Sequence, residues 1–116
     1  MRPKEVDQET DPNGLDPHAP GAKLDAGKVR PDLILDGFSL ALWAVAEVGT
    51  YGAKKYTENG WASVDRGEIR YRAAAGRHRL KRARESHDPD TQLLHLAHEA
   101  WNVLAELELH LRKESA

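Results

Sequence analysis

Two imidazoles, two carboxylates and an amide share one side of a C-terminal stretch. His95, His98, Glu99, Asn102 and Glu106 fall at i, i+3, i+4, i+7 and i+11, the spacing that aligns side chains on a helix face. An ordinary solvated face would be mostly Lys, Arg and Glu, whereas imidazole, carboxylate and amide together can hold a divalent cation or relay a proton. Spacing alone is equally compatible with a surface face that happens to carry two histidines. Upstream, Glu47 is the one acid in the middle of a long apolar run, four residues after Trp43. A lone carboxylate in such a setting is either exposed or functional. Two further stretches are cationic. Lys23, Lys28 and Arg30 alternate with Asp25 and Asp32 around Gly27, and an extended loop of this kind suits a polyphosphate; a charged surface loop is the plainer account. Lys54 and Lys55 lie between Tyr51 and Tyr56, before an Asn59-Gly60 turn and Trp61. Cations for phosphates beside aromatics for a base are what a nucleotide needs, although aromatic packing at a turn would use the same residues.

Helices must position these groups. Pro31 to about Tyr56 reads as one long helix, with Pro31 at its first turn and Leu33, Ile34, Phe38, Leu42, Val45 and Val48 buried. A second helix is expected over Glu68 to Glu85. Its apolar stripe is thin, and Arg70, Arg72, Arg77, Arg79, Lys81, Arg82 and Arg84 make the remainder basic; His78 shares a face with Tyr71, Ala74, Ala75 and Arg82. The turn-forming segment Ser86 to Thr91 leads into a third helix, capped by Asp90 or Thr91 and running to about Lys113. On this helix Leu93, Leu96, Ala97, Ala100, Leu104, Leu107 and Leu111 form the stripe expected to face the core. The fold class is all-α: a bundle of three main helices, with more apolar surface than one copy can hide and therefore completed by a second copy.

The chain has 116 residues, 40% hydrophobic and 31% charged, with a formal net charge of −2. That length allows one core, and the charge gives no global pull toward nucleic acid or membrane. The absence of cysteine removes disulfides, thiolate catalysis and Cys-based zinc sites. Residues 1–21, rich in acid and proline, are expected to be a disordered arm preceding a domain over 22–116. The start lacks an apolar signal core, and no run reaches the roughly 18 apolar residues of a membrane span. The expected location is cytoplasmic.

In order along the chain, the blocks Lys23-x-Asp25-x-Gly27-Lys28-x-Arg30-x-Asp32-Leu33, Thr50-Tyr51-Gly52-Ala53-Lys54-Lys55-Tyr56 with Trp61, Arg77-His78, and His95-Leu96-Ala97-His98 with Asn102 resemble the phage dATP/dGTP diphosphohydrolase family. These are MazG-like, all-α nucleoside triphosphate pyrophosphohydrolases of the MazZ type. The resemblance implies Mg2+- or Mn2+-dependent cleavage of dATP or dGTP between the α- and β-phosphates, a homodimer or homotetramer, and the cytoplasm of a phage-infected bacterium. In a phage carrying 2-aminoadenine, the reaction would remove dATP and supply dGMP. Under this reading Glu47, His78, His95, His98, Glu99 and Asn102 are metal ligands, and Glu47, Glu99 and Arg77 act on the reacting phosphates. Lys23, Lys28, Arg30, Lys54 and Lys55 grip the triphosphate, and Tyr56 or Trp61 stacks on the purine. The chain departs from the wider superfamily, whose paired acidic motifs reduce here to Glu47 and Glu99-x-x-Asn102. Two other readings compete: a nucleic-acid-binding protein built on the basic second helix, and a non-catalytic helical assembly protein.

Overall fold

The computed structural model describes residues 9–115. Four α-helices account for the regular structure: α1 over Asp32–Leu35, α2 over Ser39–Lys55, α3 over Gly67–Arg82 and α4 over His95–Ser115, with a 3-10 turn at Gly60–Ser63 between α2 and α3. Among the described residues there is no β-strand beyond an isolated antiparallel bridge, His87 to Leu94. The all-α expectation holds. Among the described residues no helix is long and apolar enough to cross a membrane.

The chain divides into two compact units, one up to Gly37 and one from Phe38 onward. In the first unit Asp11 organises the loop. Its carboxylate accepts the backbone N–H of Asn13, Leu15 and Lys23, and these bonds hold its pKa below the usual range against the opposing effect of burial. Residues 1–8 of the expected arm lie outside the described residues.

The long first helix anticipated from Pro31 to Tyr56 is broken. α1 ends at Leu35, a turn follows, and α2 begins at Ser39. Gly37 explains the break, because a β-carbon there would come within 2.7 Å of the Leu33 carbonyl oxygen, an approach only glycine permits. α2 then ends with Lys54 and Lys55 at its negative pole.

In the second unit α3 and α4 form the dominant pair, and α2 and the 3-10 turn pack on them. Apart from Ala97, the residues of α4 buried in this core come from the face expected to be polar and not from the leucine stripe. His95, Ala97, His98, Asn102 and Ala105 are buried, whereas Leu96, Leu104 and Leu107 of the leucine stripe are about half exposed. The reason is that the polar face has partners on α3. Glu99 pairs with Arg82 at 2.6 Å and approaches Arg79 at 3.9 Å; Glu106 pairs with Arg72 at 2.8 Å; His110 meets Glu68 at 3.0 Å. Ala75, Ala97 and Ala105 are the buried apolar residues of α3 and α4, so small side chains let the polar groups of the two helices reach one another.

Trp61, Tyr71 and Trp101 close the other end, their rings edge to face at centroid distances of 5.5–6.4 Å. The Tyr71 hydroxyl donates to the Trp61 carbonyl at 2.7 Å. α2 approaches here through Gly49, where an added β-carbon would meet Trp101 Nε1 at 3.2 Å. A larger side chain in the α3–α4 seam has nowhere to go. Ala105→Leu is expected to lower unfolding free energy by about 1–3 kcal/mol, measured as a shift in urea midpoint at constant slope.

Candidate functional site

The sequence from Ala83 to Leu94 is loop rather than helix, and it carries the groups that complete the site. α4 starts at His95, two residues later than the apolar pattern suggests. Before it, Asp88 N–H donates to Leu93 O at 2.8 Å and His95 N–H to Ser86 O at 2.9 Å, while Gln92 takes a left-handed conformation with φ of 62°. Asp88 Oδ1 accepts the N–H groups of Asp90 at 2.7 Å and Thr91 at 3.3 Å. Thr91 Oγ1 accepts from Leu93 N–H at 3.2 Å. These short-range bonds fix Asp88 and Thr91 against the histidines of α3 and α4.

His95 is fully buried. Its Nε2 lies 3.0 Å from Glu85 Oε1 and its Nδ1 lies 2.9 Å from His78 Nδ1. His98 stacks on His78, the rings 10° apart in plane with centroids 4.6 Å apart, and its Nε2 lies 2.7 Å from the Thr91 hydroxyl. Burial, and then the nearby His98 and His95, push His78 down to about 4; burial also lowers His98. Burial works to raise Asp88, but its backbone donors and the facing histidines outweigh it and hold the group below the usual carboxylate range. Two imidazoles that resist protonation face a carboxylate that stays ionised.

One donor atom from each of His78, Asp88 and His95 lies within 4.8 Å of the others. Two nitrogens and an oxygen grouped in this way are donors of the kind that could hold a divalent cation. An open groove of about 550 Å³ is lined by Trp43, Glu47, Thr50, Tyr51 and Lys54 of α2 together with Thr91 and Leu93. Thr91 is therefore common to the groove and to the histidine cluster.

The residues singled out from sequence separate into groups. His78 and His95 come together, with Asp88 and Glu85 as members that sequence reasoning missed. His98 faces Thr91. Glu99 is held by Arg82 and Arg79 instead of joining the cluster. Asn102 donates its amide hydrogen to His98 O at 2.8 Å on its own helix. Glu47 and Lys54 sit in the groove, exposed. Lys55 lies 5.2 Å from the centre of the exposed Tyr56 ring, and Arg77 is exposed on α3. Trp61 belongs to the aromatic cluster, with the Arg112 guanidinium 5.3 Å from its ring. In the first unit Lys23 is exposed, Lys28 pairs with Glu9 at 3.2 Å and Arg30 with Asp32 at 2.8 Å. Asp88 and Thr91 left one signal, a run of turn formers between two helices, which reads as a connection and not as ligands.

The family description "dATP/dGTP diphosphohydrolase, N-terminal" matches residues 18–116. The chain belongs to this family. No curated protein and no solved structure matches it. Membership of the dATP/dGTP diphosphohydrolases makes the chain a member of an enzyme family acting on purine deoxynucleoside triphosphates, and the match spans both the groove and the histidine cluster.

The depressed histidines give stability a direction with pH. Unfolded imidazole titrates near 6.5, and folded His78, facing His95, His98, Asp88 and Lys81, near 4. Between these values the unfolded chain binds more protons, so stability rises with pH and is lost as pH falls below about 6.5. With chelator present, the urea midpoint is expected to be lower at about pH 5 than at about pH 7.5, and His78→Gln should shrink the difference.

Proposed function

We propose that the chain hydrolyses dATP and dGTP between the α- and β-phosphates, yielding dNMP and pyrophosphate with the help of a divalent cation. The observation that supports this most is the placement of Thr91, which joins a groove carrying a cation, a carboxylate and aromatics to a cluster of metal-ligating type, within a stretch that matches the diphosphohydrolase family.

His78, His95 and Asp88 would hold the cation, which when bound polarises the α-phosphate and lowers the pKa of a coordinated water. Lys54 meets the phosphate chain from α2. Glu47, one helical turn from Tyr51 on the same groove wall, takes the proton of the attacking water. The water oxygen bonds to the α-phosphorus, the bridging Pα–O bond breaks, and the bond electrons leave with pyrophosphate. Trp43, 73% exposed, and Tyr51 offer flat surfaces to the purine. In a phage that replaces adenine, the reaction would clear dATP and provide dGMP.

Nucleic-acid binding by α3 finds less support, because Arg72, Arg79 and Arg82 of its basic run are engaged with acids of α4. The exposed Leu96, Leu104 and Leu107 instead favour self-association. The mass in light scattering is expected to be a multiple of that of one chain, and Leu104→Glu to reduce it without loss of helical circular dichroism.

The direct test is incubation with each dNTP and a divalent ion, with products separated by anion exchange. Formation of dNMP and pyrophosphate, abolished by EDTA, is expected; dNDP and orthophosphate would refute the bond assignment. Glu47→Gln is expected to lower kcat about 10²-fold and Lys54→Ala to raise KM about tenfold. If both stay within about threefold of the parent, the groove is not where the reaction occurs.

A further inference from the structure

We propose that His78, His95 and Asp88 select a first-row transition-metal ion over Mg2+, with Glu85 orienting His95 from behind. This rests on the cation-dependent reading above and names the ion class and the residues that choose it.

Tautomer logic comes first. A carboxylate only accepts hydrogen bonds, so the 3.0 Å contact between Glu85 Oε1 and His95 puts the ring hydrogen on Nε2. In the neutral ring Nδ1 then carries a lone pair, and it points at His78 Nδ1, 2.9 Å away. Donation of the far N–H to a carboxylate is the arrangement typical of metal-bound histidine, where it fixes ring orientation and raises basicity. The loop after α3 supplies Glu85; the seam supplies the burial of His95.

The spacing of the two nitrogens is the second observation. Without an ion, one ring must donate its hydrogen to the other. If His78 carries its hydrogen on Nε2 instead, both Nδ1 atoms present lone pairs. Two nitrogens each about 2.1 Å from a common ion are about 3.0 Å apart at right angles and about 3.4 Å apart at a tetrahedral angle, so the hydrogen-bonded pair at 2.9 Å needs a shift of no more than about half an ångström to admit one. Asp88 adds the oxygen. Both of its backbone bonds fall on Oδ1, so the turn holds this carboxylate in place without help from an ion, and the second oxygen is not needed by the turn.

Selectivity follows from the donor types. Mg2+ demands oxygen ligands and gives up its waters reluctantly, whereas imidazole nitrogen favours the later first-row ions. Carboxylates that would shift the balance toward Mg2+ lie elsewhere: Glu99 pairs with two arginines, and Glu47 lies in the groove.

The full chain, stripped with chelator, should be titrated with Co2+ while visible d–d absorption is followed, then challenged with Mg2+. Saturation at one Co2+ per chain, surviving an about hundredfold excess of Mg2+, is expected. His78→Gln should abolish the band. Glu85→Gln, at a half-exposed position, should weaken Co2+ binding about 10–100-fold while leaving the helical signal intact, which keeps the test decisive if the His78 variant misfolds. Absence of saturable binding, displacement by equimolar Mg2+, or unchanged affinity in Glu85→Gln would overturn the inference. Full dNTP turnover with Mg2+ by a chain that binds no Co2+ would leave the hydrolase reading standing and remove this one. Co2+ binding as described without turnover of any dNTP would do the reverse.

Discussion

A fully buried imidazole with both nitrogens engaged is the constraint on which the second unit depends. His95 cannot sit at the α3–α4 seam unless one nitrogen has an acceptor and the other a partner, since an unsatisfied buried polar group costs about 1–3 kcal/mol. Glu85 and His78 meet that need, and each comes from a different part of the chain: His78 from the fourth turn of α3, Glu85 from the loop just past its end. α3 must therefore stop at Arg82, and the return to α4 must be tight. The bonds between Asp88 and Leu93 and between His95 and Ser86 provide that return. Among the described residues no buried side-chain nitrogen or oxygen lacks a partner, so the polar seam is fully satisfied.

The charges on α3 and the leucines on α4 follow from the same choice. Once the polar face of α4 turns inward, its acids need cations, and Arg72, Arg79 and Arg82 supply them. Exposed pairs of this kind contribute little energy each, about 0–1 kcal/mol, but they set register and orientation. Glu99, only 15% exposed, is the most enclosed of them. The leucines are left outward, a face that a single copy does not cover.

Sequence made part of this plain. Helical content, the order of the helices and the extent of α3 follow from periodicity and turn formers, and the positions of His95, His98, Glu99 and Asn102 on one face follow from the 3.6-residue repeat. Periodicity gives relative positions around a helix but not which side meets a neighbour. That depends on pairings such as Arg82 with Glu99 or His78 with His95, both 17 residues apart, which no local pattern encodes. The break at Gly37 was likewise hidden, since a glycine inside an apolar run reads as tolerated until the Leu33 carbonyl is seen to occupy the space of its β-carbon. Asp88 and Glu85 were illegible for a third reason: the pattern puts one in a connecting loop and the other at the end of the expected second helix, and their bonds to remote side chains exist only once the helices have docked.

The scarcity of carboxylates at the proposed cation site also takes on a physical meaning. A cage of several ionised acids would neutralise a divalent ion before any nucleotide arrived. In the proposed site two imidazole ligands and one carboxylate would leave a bound ion with a net positive charge of about one, where burial would strengthen its field. His78 is kept neutral by the same burial, so it does not compete with the ion for charge. A site of that kind would attract a polyphosphate electrostatically and could take further oxygens from it. Lys54, at the end of α2 and on the wall that Thr91 shares, extends the positive field along the direction the phosphates would run. On the proposed reading the scarcity of acids and the presence of histidines are one arrangement, in which nitrogen ligands would hold the ion and the substrate would complete its coordination.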